Sequence, residues 1–174
     1  MKKFNQNEQG RSMIEMLGVL AIVGVLSVAG IAGYSKGMAK YKANQLIDQV
    51  STISANVKTI FANGEPYTKM NGTGDGANGN ATLKKLKAFP DAMTKTSTVT
   101  HAFNGACTVT GSSNSFDIKL ESLPAEGCAA LVLASWGDAA GFSGIKIGTA
   151  AATNDITGAA SCADNNNIVT LTFK

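Results

Sequence analysis

The chain has 174 residues, 44% of them hydrophobic, with 19 glycines, three cysteines and one histidine. A formal charge of +3 is too slight to mark nucleic acid as a dedicated ligand, and a single histidine excludes a multi-histidine metal site. Once the apolar N-terminal segment is set aside, the remainder suffices for one modest globular domain and not two.

The chain opens with a short polar stretch, Met1 to Gly10, that carries Lys2 and Lys3. Glu15 follows, and then a charge-free run from Met16 to Ser35. As a helix this run rises about 1.5 Å per residue and spans roughly 30 Å, enough to cross a bilayer once. A secretory signal places its small-residue cleavage site after the apolar stretch. Here the small residue, Gly10, precedes it, so a cut after Gly10 would remove only the polar leader and leave the apolar helix at the new N-terminus. Two lysines on the cytoplasmic side follow the positive-inside rule and place the rest of the chain outside.

Gly10-Arg11-Ser12-Met13-Ile14-Glu15-Met16-Leu17 resembles the processing site of type IV prepilins and related secretion pseudopilins: a short basic leader, Gly before the cut, and Glu five residues after it. The apolar run and the helix after it are similar to the same family. One departure is Arg11, where these subunits usually begin with an apolar or aromatic residue that is commonly N-methylated. The resemblance implies cleavage between Gly10 and Arg11 by a prepilin peptidase and a role for Glu15 in assembly. Physics supplies a reason for that role. An ionised side chain in a lone membrane helix costs on the order of 2.5–3.5 kcal/mol near the centre and less near an interface. Cleavage creates an α-amine at Arg11, cationic at neutral pH with a pKa of about 8. If a neighbouring subunit's amine meets Glu15, one contact compensates both charges and sets the axial register. The plain alternative is that Glu15 snorkels to the headgroups of a simple anchor. Such an anchor needs neither Gly10 nor this offset.

From Lys36 to Ala62 the residues Tyr41, Leu46, Ile47, Val50, Ile53, Val57, Ile60 and Phe61 recur at three- and four-residue steps, the stripe of an amphipathic helix. No proline interrupts Ser12 to Ala62, so the apolar and amphipathic parts are expected to form one helix of roughly 75 Å. Gly18, Gly24, Gly30, Gly33 and Gly37 weaken it locally; Gly33 and Gly37 form a small-xxx-small pair. In filaments of related pilins part of this helix is unwound, which the resemblance would place between Gly24 and Gly33; ordinary lipid-compatible use of glycine is the alternative.

Asn63 to Asn80 reads as a loop, with two sequons of the glycosylation form, Asn71-Gly72-Thr73 and Asn80-Ala81-Thr82, best read as chance in a Gly/Asn/Thr-rich stretch. Thr82 to Phe89 reads as a short helix whose Lys84, Lys85 and Lys87 form a solvated face, stopped by Pro90. Val99 to Phe103, Ala106 to Thr110 and Ser115 to Glu121 read as strands joined by tight turns. A helix is expected from Pro124 to Trp136, then strands at Gly144 to Gly148 and Ile168 to Phe173. Long helix first and antiparallel strands afterwards make an α+β domain, its sheet laid over the apolar stripe.

Export favours a disulfide between any two cysteines that meet, and spacing alone allows all three pairings of Cys107, Cys128 and Cys162. Cys128 and Cys162 resemble the cysteine pair of type IVb pilins, which leaves Cys107 as a buried small hydrophobe. His101 falls in a predicted strand and reads as a strand-face residue. Asp155, Asp164 and Asn165 to Asn167 are oxygen-rich, in a part of the fold where some related pseudopilins hold calcium, but Asn-rich turns need no metal. Trp136 reads as packing against the C-terminal loop. No catalytic residue, metal site or cofactor is read from the chain.

The organisation expected is therefore a leader at 1–10, an apolar helix at 11–35, its amphipathic half at 36–62 and a globular α+β domain at 63–174, with the pilin fold that the resemblance implies. The implied life is insertion in the inner membrane, cleavage, extraction by an assembly platform driven by an ATPase, and homopolymerisation into an extracellular type IVb-like pilus. Two other readings stand beside it: a minor pilin or secretion pseudopilin, and a membrane-tethered binding module that never polymerises.

Overall fold

The computed structural model describes residues 7–73, 77–137 and 141–174, with side chains along the first helix from Met13 onward. Lys2 and Lys3 lie outside the described residues. The chain divides into two compact units between Met38 and Ala39. Helix α1, Asn7–Ile60, supplies all of the described part of the first unit and the opening of the second. No proline interrupts it, and its glycines stay helical, including those from Gly24 to Gly33.

Within the second unit the order is α1, α2 (Asn80–Lys85), β1 (Cys107–Gly111), β2 (Phe116–Leu123), α3 (Ala125–Leu133), β3 (Phe142–Ile147), β4 (Ala150–Ala152), α4 (Ile156–Ala159) and β5 (Asn167–Phe173). The strands form one antiparallel sheet in the order β1-β2-β5-β3-β4, so the last strand of the chain lies at its centre. Alternation sends Val109, Ile118, Leu120, Val169, Leu171 and Phe173 to the core face, where they join Leu46, Val50, Ile53 and Val57 of α1. All ten are fully buried, and each such side chain contributes about 1.5–3 kcal/mol of apolar transfer. Tyr41, placed on the stripe by its spacing, is instead 62% exposed; the buried face begins at Ala43.

A bulge keeps β2 in phase with the core. Leu120 and Leu123 are three residues apart, an odd spacing that would put them on opposite faces of a regular strand. Ser122 adopts φ +57°, the register shifts between them, and both leucines are buried.

Several elements differ from expectation. Val99–Phe103 is not a strand: Thr100 makes a single bridge to Ala106, after which the chain turns. The reason is that the outer edge of β1 is already taken. Asn80 donates from Nδ2 to the Cys107 carbonyl (2.7 Å) and accepts from the Val109 amide (2.9 Å); Asn71 does the same with the carbonyl and amide of Gly111 (2.7 and 2.8 Å). Between them the Gly79 amide donates to the Val109 carbonyl. Two side chains thus imitate a neighbouring strand and close the edge against further pairing. The amide nitrogens of both sequon asparagines are spent on this, which gives them a structural role. Gly111 itself admits no side chain, because a Cβ would lie 1.9 Å from the Tyr67 carbonyl oxygen.

Helix α2 starts two residues earlier than the composition indicates and stops at Lys85. Lys87 takes φ +52°, its amide donates to Lys84 and that of Ala88 to Leu83, a Schellman closure that ends the helix before Pro90. Lys84 donates to the carbonyls of Thr96 (3.1 Å) and Ser97 (2.7 Å), so it pins a loop, whereas Lys85 and Lys87 are exposed. Helix α3 ends at Leu133, short of Trp136. Trp136 is buried by stacking on Phe142 and by an edge contact to Phe173 rather than by a loop.

Asn80→Ala removes two bonds and leaves the Val109 amide and Cys107 carbonyl without partners. Denaturant unfolding of the full chain in detergent, followed by the fluorescence of Trp136, is expected to show a loss of about 1–3 kcal/mol.

Candidate assembly site

The candidate residues fall in two places. The first is the N-terminal part of α1. Gly10 and Arg11 lie on its backbone, within the first turns after Asn7. From Met13 to Tyr34 the large apolar side chains are 51–73% exposed, and no residue in the most apolar stretch of the helix is buried. One such helix is present among the described residues, and it fits a membrane anchor by length and composition. Glu15 is exposed and has no ion pair among the described residues. Ser27 returns its hydroxyl to the Val23 carbonyl (2.7 Å), the local satisfaction that a polar group in an apolar helix requires. A Cβ at Gly18, Gly24, Gly30, Gly33 or Gly37 would meet nothing within 4 Å.

The second place is the region closed by cysteines. Cys128 of α3 is joined to Cys162, just beyond α4, with a Cα–Cα distance of 6.0 Å and a sequence separation of 34. The loop so closed contains β3, β4 and α4, and β5 leaves it to enter the centre of the sheet. Polar side chains fix the exit. Asn167, 5% exposed, donates from Nδ2 to the carbonyls of Leu123 and Ala163 and accepts from the Ala163 amide; the Ala125 amide donates to the Asp164 carbonyl. Asn154 donates to the carbonyls of Val132 and Ala134 at the end of α3. Asp155 caps α4, accepting from Thr157 and Gly158 amides and the Thr153 hydroxyl, and these bonds hold its carboxyl below the usual range. The side chains of Asp155 and Asn167 are therefore engaged by the backbone, and no group of three or more His, Cys, Asp or Glu suited to a metal occurs among the described residues.

Cys107, the free thiol, is buried on the inner face of β1, and desolvation pushes it up to about 12. His101 lies in the turn after the Thr100 bridge, not on a strand face, and is 3% exposed. Two further polar residues on the buried stripe of α1 carry functions that composition did not single out. Gln49 accepts from the Ala102 amide (3.0 Å), and Asn56 donates to the Ala88 carbonyl (2.9 Å). Their signal is positional: each stands three residues after a core residue, Leu46 or Ile53, where a polar side chain must find a partner.

An α1 stripe under a five-stranded antiparallel sheet, with a disulfide-closed C-terminal region, is the setting in which residues 40–174 match the PilS N-terminal family. The chain belongs to this family, a type IV pilin-related domain. No curated protein gives a significant match. Pilin-like proteins of this kind are structural rather than catalytic, and their family is associated with assembly into a pilus. The match begins at Lys40 and so rests on the second unit.

Replacing Cys128 and Cys162 together by serine frees a long loop. The pilin domain is expected to lose roughly 3–4 kcal/mol by loop-entropy reasoning, read as a lower urea midpoint for the full chain in detergent. In the unmodified protein, alkylation without reductant is expected to be absent when folded and to reach one thiol per chain, that of Cys107, in denaturant.

Proposed function

We propose that this pilin-family chain is the structural subunit of a type IVb-like pilus, polymerising through the N-terminal part of α1 after removal of residues 1–10. The observation that carries the reading is the exposed apolar surface of the N-terminal part of α1 in the isolated chain, headed by an acidic residue with no ion pair among the described residues. Such a surface needs lipid before assembly and other helices afterwards. Glu15 needs a cation. The α-amine freed at Arg11 is the nearest chemistry to supply it, and pairing between copies would compensate two charges while fixing the axial offset. The Cys128–Cys162 link supports the IVb assignment, and the absence of any need for Gly10 in a simple tether argues against a non-polymerising module.

On this reading the N-terminus is cytoplasmic while the chain waits in the inner membrane. A prepilin peptidase cuts between Gly10 and Arg11, and an ATPase-driven platform extracts the product. Because α1 includes Gly10 on its helical backbone, cleavage requires the first turns to open locally, which glycine assists.

In cells with a working export machine, Glu15→Ala is expected to reduce sheared filaments by one to two orders of magnitude while cleaved subunit persists in the membrane. Intact-mass analysis of the filaments should give a subunit beginning at Arg11. Normal filament yield from Glu15→Ala would remove the register role. Cleaved wild-type protein found only in the membrane would assign a secretion pseudopilin or minor subunit instead.

A further inference from the structure

His101 sits where three elements meet. Its Nε2 lies 2.8 Å from the Glu121 carbonyl on β2, and its Nδ1 lies 3.2 Å from the Phe103 amide. The Phe103 N–H must donate, so Nδ1 accepts and the proton is carried by Nε2; one neutral tautomer satisfies both contacts. The turn that contains it is tight. His101 donates its amide to Gly105, Asn104 donates to His101, and Asn104 takes φ +64°. A side chain at Gly105 is impossible, since a Cβ would lie 1.9 Å from the Glu121 carbonyl oxygen and 2.4 Å from Nε2. The same turn holds α1: the Ala102 amide donates to Gln49, and the Phe103 ring lies under the Lys42 ammonium at 5.9 Å.

We infer that residues 101–105 form an acid-released clasp between the pilin domain and the amphipathic half of α1, with His101 as its trigger. Imidazolium carries a hydrogen on both ring nitrogens, so protonation sets Nδ1–H against the Phe103 N–H and one contact must break. Because Phe103 and Ala102 are adjacent, displacing the Phe103 amide also disturbs the bond to Gln49. The surroundings offer the new charge little relief. On α1, Lys42 is cationic and Asp48 is exposed; on β2, Glu121 is paired with Lys119 at 2.7 Å; on α3, Glu126 is exposed; on β1, Cys107 is an uncharged buried thiol. No ion pair reaches His101 among the described residues. Burial lowers its affinity for a proton despite the favourable Glu121 carbonyl. The unfolded or opened turn therefore binds the proton more readily. The clasp is complete above the ordinary histidine value of about 6.5 and is lost as pH falls from there through the folded value.

The chain has one histidine, so its ring resonance is identified without assignment. The full chain in detergent micelles, titrated from pH 8 to 4.5 by NMR, is expected to keep neutral imidazole below pH 6.5. As the ring titrates, protection of the Ala102 and Phe103 amides, corrected for intrinsic exchange, should fall at least about tenfold while the β5 amides Val169 and Leu171 remain protected. His101→Gln keeps a donor for Glu121 without a titrating group and should show no pH-dependent loss in the turn. Unchanged turn protection once the ring is protonated, parallel losses in His101→Gln, or simultaneous loss at β5 would each overturn the clasp. If His101→Gln does not fold, the coincidence of ring titration and turn opening in the wild type decides alone. The test is independent of filament formation.

Discussion

Leu46, Val50, Ile53 and Val57 are the line along which this fold is held together. They are the part of α1 that faces the sheet, and every strand except the short β4 sends buried side chains into the same core. A helical segment as short as Leu46 to Val57 is marginal in water by itself; here tertiary burial fixes it, and among the described residues no other helix of the domain is as long as the part of α1 that covers the sheet. Gln49 and Asn56 add direction to this contact. Apolar burial tolerates sliding and rotation, whereas a carbonyl at Ala88 and an amide at Ala102 accept one position of the helix only.

The rest of the domain is an exercise in satisfying backbone groups where regular pairing stops. At β1 two asparagines complete the ladder. At the exit to β5 Asn167 bridges two segments, at the end of α3 Asn154 takes two carbonyls, and at α4 Asp155 takes two amides. No buried side-chain nitrogen or oxygen is left without a partner among the described residues. The asparagine-rich composition thus belongs to edge and turn chemistry, with the disulfide closing the region that holds the three-residue β4.

How much of this was readable depended on which force decided each segment. The stripe of α1, the cores of β2 and β5 and the α+β class follow from periodicity, because burial of regularly spaced apolar residues is what forms them. Periodicity failed at Val99–Phe103, where an apolar run serves a turn because side chains from a distant loop hold the strand edge. It failed also at β4, three alanines that favour a helix but pair with β3 across the Gly148–Thr149 turn. Tyr41 has the correct spacing and lies beyond the end of the covered face. For the candidate site, Glu15, Gly10 and Arg11 were legible because a charge beside a long apolar run is conspicuous in any context. The roles of Gln49, His101 and Asn80 were not, since each depends on a partner 20 to 53 residues away along the chain.

The position of β5 has a consequence for how the molecule is made. Its neighbours β2 and β3 do not pair with one another; both wait for the seven-residue β5, and Lys174 closes the arrangement by donating to Gly141. Until residues 167–173 are available, the sheet exists only as two half-sheets, β1-β2 and β3-β4, each with an open edge. The domain therefore locks only when β5 is in place, and a copy cut before Asn167, lacking its keystone, carries open strand edges prone to wrong pairing.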